Sequence, residues 1–280
     1  MSDTTALLRV QGLHVNVHGR SILQDVNFAV HAGQTLGIVG ESGSGKSMTA
    51  MALMGLLPNG ARLQGSICLQ GQELAAQTEK QWLAVRGDRI AMVFQEPMTA
   101  LNPVHTIGAQ VAEPLRLHRG MRRRDALARA AQLLERVGIA RARERLGAYP
   151  HEFSGGQRQR ITIAMALACE PALLIADEPT TALDVIVQQH ILDLLDVLVR
   201  EQQMGLVLIS HDLAVISSYS DHVAVMTQGR IVEQGATDAV FTAPQHAYTQ
   251  ELLASRKRLM AFAEPQQAPS DATDGAGATP

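Results

Sequence analysis

The stretch "TLGIVGESGSGKSMTAMALMGLLPNG", residues 35–60, puts three signals in one run. "TLGIVG" is an apolar segment of strand length that runs into glycine. "GESGSGKS", residues 40–47, matches the pattern G-x-x-x-x-G-K-[ST]. In that pattern the glycines let the backbone wrap a phosphate with its N–H groups pointing inward. A lysine, here Lys46, reaches the β- and γ-phosphates, and a hydroxyl, here Ser47, binds magnesium. The periodicity after Lys46 predicts a helix to about Leu57, stopped by Pro58, Asn59 and Gly60. A strand, a glycine loop and a helix in this order predict an α/β fold with a nucleotide phosphate site.

The flanking sequence extends that reading. Before the loop, "LLRVQGLHVNVHGRSILQDVNFAVHAGQ" alternates apolar and polar residues between closely spaced turns, which predicts several short strands. "GSICLQGQEL" reads as a further strand and turn, and "DRIAMVFQ" as a strand ending at Gln95. From about Glu96 to Pro150 the pattern turns helical and rich in Arg, Ala and Leu. "RRRDALARAAQLLERVG" has apolar residues three and four apart and a terminal glycine. This predicts a helical insertion in the α/β core, its arginines forming a solvated face. Then "ALLIADEP" and "LVLISHD" return as apolar strands, with the amphipathic helix "ILDLLDVLVREQQ" between them. "HVAVMTQGRIVEQG" reads as two strands joined at Gln228 and Gly229, and "DAVFTAPQHAYTQELLAS" as a short helical end. The tail from about Glu264 is poor in large apolar residues and reads as disordered.

Composition narrows the class. The chain has 280 residues, 46% hydrophobic and 18% charged, with a net charge of -3, so nothing marks a general nucleic-acid binder. Its two cysteines, Cys68 and Cys169, lie far apart and fit a reducing compartment, both read as buried and inert. "MSDTTALLRV" lacks the pattern of a secretory signal. The longest nearly apolar stretch, "ITIAMALACEPALLIA", is interrupted by Glu170 and Pro171 and too short to span a bilayer.

Two further constellations carry chemistry. Asp177 ends the apolar run "LLIA", where a carboxylate can hold magnesium through its water shell. Glu178 follows it and can act as general base on a water near the γ-phosphate. His211 and Gln95 likewise follow apolar runs, and ligands bind at the C-terminal ends of parallel strands. The second constellation, "FSGGQRQR" at residues 153–160, has no acid or thiol but puts small residues before a predicted helix. Exposed backbone N–H groups at such a helix start attract anions. One chain thus carries two candidate phosphate sites.

Taken together and in order, "GESGSGKS", Gln95, "FSGGQ", "LLIADE", "TALD" (181–184) and His211 resemble the nucleotide-binding subunits of ABC transporters over about residues 7–255. The resemblance implies an ABC ATPase core with an N-terminal antiparallel β subdomain and a helical subdomain inserted at about 96–160. It implies one domain over 1–255 and a C-terminal tail over 256–280. ATP and Mg2+ are the implied ligands. Gly40, Glu41, Ser42, Gly43, Ser44, Gly45, Lys46, Ser47 and Met48 would hold this chain's own nucleotide. Ser154, Gly155, Gly156 and Gln157 would contact the ATP held by an opposing subunit. Magnesium would fall to Ser47, Gln95 and Asp177, and catalysis to Glu178, His211 and Gln95. Asp184 would couple the two sites, and the segment from Gln95 to about Glu113 would receive a short helix of the membrane partner.

"FQEPMTALNPVHTIGAQVAEPL", "YPHEFSGGQRQRITIAMALACEP" and "PQHAYTQELL" resemble more narrowly the ATPases of dipeptide, oligopeptide and nickel importers. That implies a peripheral subunit on the cytoplasmic face of the inner membrane. Its partners would be a second, non-identical ATPase, two permease subunits and, indirectly, a substrate-binding protein. The sequence departs from the family in two places. Val17, with His18 beside it, stands where members stack adenine on an aromatic ring. No cysteine follows Cys169, so no iron–sulfur cluster is expected. The alternative functions are a soluble ABC ATPase acting on ribosomes or DNA, a non-hydrolysing regulator, and an exporter cassette. The single cassette without sustained heptads, the presence of Glu178 and His211, and the missing membrane spans weigh against these in turn.

Overall fold

The computed structural model describes residues 6–94, 100–180 and 184–263. Gln95 and residues 181–183, of which the sequence reading made use, lie outside them. Strands β1 (Leu8–Val17), β2 (Arg20–Val30), β4 (Ala61–Leu69) and β5 (Gln72–Glu73) form an antiparallel sheet in the order β2-β1-β4-β5. The second sheet has the order β10-β9-β3-β8-β7-β6. It comprises β3 (Thr35–Val39), β6 (Ile90–Val93), β7 (Leu173–Asp177), β8 (Gly205–Ile209), β9 (His222–Thr227) and β10 (Arg230–Ala236). All neighbours in it are parallel except β10, which returns antiparallel to β9. Gln228 and Gly229 both take positive φ (48° and 76°), the backbone a two-residue hairpin needs.

The parallel strands are apolar along their middles because both their faces are covered. Ile38, Ile175, Val207 and Met226 pack towards the antiparallel sheet and helix α1 (Lys46–Leu53). Their neighbours Val39, Leu174, Leu208 and Val225 pack into the opposite core. That second core is shared with α3 (Ile107–Arg119), α4 (Arg123–Arg136), α6 (Gly155–Ala166) and α7 (Val185–Gln202). The period of two along each strand thus divides one sheet between two cores.

Three expectations need correction. Helix α1 stops at Leu53 rather than Leu57. Gly55 takes φ 61° there, and the Trp82 ring lies so close that a Cβ on Gly55 would sit 2.3 Å from it. The insertion's arginines are not all a free solvated face. Arg119 pairs with Asp88 at 3.0 Å, Arg129 with Glu170 at 2.7 Å and Arg136 with Glu201 at 2.6 Å, tying the insertion to the α/β core. Each is solvent-accessible and contributes at most about 1 kcal/mol. Cys169 is buried, and burial pushes its thiol pKa up, but Cys68 is only partly buried. It points to the outer side of β4, between the inward Ile67 and Leu69.

Among the described residues no helix is long and apolar enough to cross a membrane. The short helices α2 (Glu79–Trp82), α5 (Ala142–Arg145), α8 (Leu213–Tyr219) and α9 (Thr237–Thr242) complete the connections, and α10 (Ala247–Ala263) follows.

Candidate functional site

Since β3, β7 and β8 are adjacent and parallel, the residues after them share one edge of the sheet. Here lies a cleft of about 600 Å3 lined by Ile22, Ser42, Gly43, Gly45, Lys46, Ser47, Met48, Met51, Glu178 and His211. Gly40 leaves β3 where a Cβ would stand 2.0 Å from the Met226 carbonyl oxygen. Backbone cannot yield there, so only glycine fits. Gly45 has φ 110° and caps α1 with no side-chain cap bond, and the first turn of the helix holds no acid. Its leading N–H groups are thus left for an anion. The loop is braced from behind by the β9–β10 hairpin, where Gly229 donates its N–H to the Ser44 carbonyl at 2.8 Å. Ser44 is buried, and its Oγ has no partner among the described residues. The donors and shape of this cradle fit a phosphate.

Lys46 is 6% exposed and turns its Nζ back onto the loop, donating to the carbonyls of Gly40 (2.7 Å) and Glu41 (3.0 Å). Burial pushes its ammonium pKa down, against the carboxylates of Glu178 and Asp177, which raise it. Ser47 Oγ lies 3.4 Å from Asp177 Oδ1, at the long limit for a hydrogen bond. Burial raises the Asp177 pKa, Glu178 adds to this, and the Ser47 hydroxyl and Lys46 oppose it. A cation would relieve a buried carboxylate of this kind, and a hydroxyl beside a carboxylate is a hard oxygen set of the type Mg2+ takes.

Glu178 takes φ 47°, its N–H held by the Ile209 carbonyl at 2.9 Å. This turn sends its side chain into the cleft, where Oε1 is 3.1 Å from Nδ1 of the more exposed His211. Lys46 and Ser47, Asp177 and Glu178, and His211, from three distant segments of the chain, are thus gathered at one place.

Ser154, Gly155, Gly156 and Gln157 do not line this cleft. Ser154 caps α6: its Oγ accepts the N–H of Gln157 at 3.3 Å, and its own N–H goes to Gln157 Oε1 at 3.2 Å. Ser154 and Gly155 are exposed at the start of α6. Asp184 caps α7 by accepting the Val187 N–H at 3.0 Å. A Cβ on Gly156 would meet Val187 at 2.5 Å, so the starts of α6 and α7 are packed together.

Sequence reasoning missed Gln159. It is fully buried in α6 and donates to the Pro179 carbonyl at 2.6 Å, linking that helix to the residue after Glu178. Its Oε1 has no partner among the described residues. Nothing in the sequence sets it apart, since it stands between Arg158 and Arg160 in the polar first half of that helix. Val17 packs against the core alongside Met48, while His18 takes φ 49° and lies over Gly60 on the other side. Neither lines the cleft, whose apolar lining is Ile22, Met48 and Met51. A second groove of about 620 Å3, on the outer face of the antiparallel sheet, includes His14, Asn16, His18, Arg62 and Gln64. It shares no residue with the cleft and has no carboxylate to activate water.

Residues 23–181 match the family described as ABC transporter. A putative peptide import ATP-binding protein of Brucella melitensis is 52% identical over 264 residues, covering 90% of this chain and 78% of that protein. The glutathione import ATP-binding protein GsiA of Salmonella typhimurium is 48% identical over 271 residues, which is 93% of this chain but 44% of GsiA. Two solved structures are similar at 27% identity. A dimeric ATP-binding cassette in a post-hydrolysis state with ADP and Pi has TM-score 0.71 and covers 82% of this chain and 98% of its own. CbiO1 of Clostridium perfringens, part of the ABC transporter complex cbiONQ, has TM-score 0.75 and covers 91% and 99%.

Proposed function

The chain belongs to the ABC transporter family, and on that premise we propose that it is the ATP-hydrolysing subunit of an importer whose cargo is peptides. The observation that carries the proposal is the gathering of Lys46, Ser47, Asp177, Glu178 and His211 around one cleft at the end of the parallel sheet. Relatives named for peptide and glutathione import favour peptide cargo over nickel chelates, and favour an importer over a ribosome- or DNA-acting ATPase.

Phosphoryl transfer to water needs positioning and charge neutralisation more than covalent chemistry. The loop N–H groups and Lys46 hold the phosphates of ATP. Ser47 and Asp177 would hold Mg2+, which when bound neutralises charge developing on the phosphate oxygens. Glu178 takes the proton of the attacking water, and His211 orients Glu178 and the γ-phosphate. Gln95, with the same assignment as metal and water contact, lies outside the described residues.

Ser154, Gly155, Gly156 and Gln157 serve the ATP on an opposing, non-identical ATPase subunit, which explains why they stand outside this chain's own cleft. Asp184 lies at that junction. The pair works on the cytoplasmic face of the inner membrane against two permease subunits, received by the segment from Gln95 to about Glu113, with a substrate-binding protein delivering cargo. Residues 1–255 act as one ATPase domain, with the helical part at 96–160 inserted.

The test is turnover per subunit against protein concentration, alone and with the companion ATPase and permeases. The isolated chain is expected to be slow and concentration-dependent, because its own site lacks the opposing Ser-Gly-Gly. A fast, concentration-independent monomer would overturn the shared-site reading.

A further inference from the structure

The segment "PQHAYTQELL" plays no part in the hydrolysis chemistry, yet the fold carries it to the phosphate loop. Tyr248 Oη accepts the backbone N–H of Glu41 at 3.2 Å, across 207 positions of sequence. The carbonyl of the same Glu41 accepts Lys46 Nζ at 3.0 Å and the Ser44 N–H at 3.1 Å. Glu41 is therefore gripped at both ends, by the tyrosine on one side and by the loop's lysine on the other.

The tyrosine is itself held in place. Glu233 on β10 receives the N–H of Gln245 on Oε1 (2.7 Å) and that of His246 on Oε2 (3.1 Å), so one carboxylate caps the entry to α10. The Tyr248 N–H donates to His246 Nδ1 at 3.2 Å, and its ring packs, half-buried, on the same core as Leu252 and Leu253. The result is a strap fixed to the sheet at Glu233 whose free polar atom reaches the loop.

We propose that Tyr248 is a positioning residue for the phosphate loop: its hydroxyl fixes the Glu41 peptide, so that the Glu41 carbonyl holds Lys46 in place for the phosphates. This rests on the reading of residues 40–47 as the ATP site. Losing the hydroxyl loosens Glu41 and with it the Lys46 tether. The loss falls on substrate binding more than on the chemical step, because Glu178 and His211 are held by other elements. One net hydrogen bond predicts a rise of about two- to tenfold in KM for ATP.

The experiment uses Tyr248→Phe, which keeps the ring, in the assembled transporter complex, with kcat, KM and the dissociation constant for ATP measured. The expected result is a KM and Kd raised about two- to tenfold with kcat changed less than about twofold. Glu41→Pro removes the donor itself, and on that background Tyr248→Phe is expected to add nothing. An unchanged KM for Tyr248→Phe, a loss confined to kcat, or an undiminished effect in the Glu41→Pro background would overturn the proposal. Lys46→Ala separates the premise: if that variant keeps wild-type ATP affinity and turnover, the phosphate-site reading fails. If it loses them while Tyr248→Phe is silent, only the role of Tyr248 fails.

Discussion

Replacing Gln159 by leucine sets two buried polar terms against each other. The carboxamide is fully buried, its Nε2 is bonded to the Pro179 carbonyl at 2.6 Å, and its Oε1 has no partner among the described residues. Gln159→Leu strands the buried Pro179 carbonyl, which costs about 1–3 kcal/mol, but removes an unsatisfied acceptor of similar cost. With side-chain volume nearly kept, the net change in stability is expected within about 1 kcal/mol of zero. Gln159→Ala strands the same carbonyl and also opens a cavity, and should lose about 2–5 kcal/mol. Urea midpoints for the two variants, at unchanged m-value, give the comparison. Turnover should respond differently. Pro179 follows Glu178, and a small displacement of a catalytic group can cost up to about 10²-fold. Gln159→Leu is therefore expected to fold normally and bind ATP, yet hydrolyse it at least about tenfold more slowly in the assembled complex. A leucine variant destabilised by about 2 kcal/mol or more would show that Oε1 is satisfied, by a buried water for instance. A leucine variant of normal turnover would remove the link between helix α6 and the base.

Two further outcomes test the site. Glu178→Gln keeps the hydrogen-bonding shape but not the base, so it should bind ATP and turn it over about 10²- to 10⁴-fold more slowly; near-normal single-turnover rates in the complex would remove Glu178 from that role. Ser154→Arg should leave ATP binding to the chain's own loop intact while abolishing hydrolysis at the partner's site, as measured with labelled nucleotide in pairings whose other site is disabled. Loss of nucleotide from its own chain instead would reverse the assignment of residues 153–160.

Much of this molecule was legible before any fold was known, and the reason is local. The phosphate loop is a contiguous backbone device, so "GESGSGKS" announces it without reference to the rest of the chain. The parallel strands are covered on both faces and thus read as apolar runs, with the residues proposed for the site at their ends. Asp177, Glu178 and His211 could be picked out for that reason alone.

What tertiary structure alone decided are the contacts that hold these pieces in relation. Helix α1 ends early because Trp82 packs on Gly55, and nothing in residues 46–58 records that ring. The inserted arginines read as a solvated face, yet three of them find acids on the core, a matter of where two elements dock. Gln159 and Tyr248 act through a carbonyl 20 residues away and an N–H 207 residues away. A backbone group has no identity in sequence. Any residue offers the same N–H and C=O, so a side chain that grips one leaves no pattern at the other end. The sequence by itself determined the chemistry available to this chain and the strand ends at which it stands. Which backbone groups brace that chemistry depended on the packed fold, since hydrogen bonds are made by distance and direction and not by order along the chain.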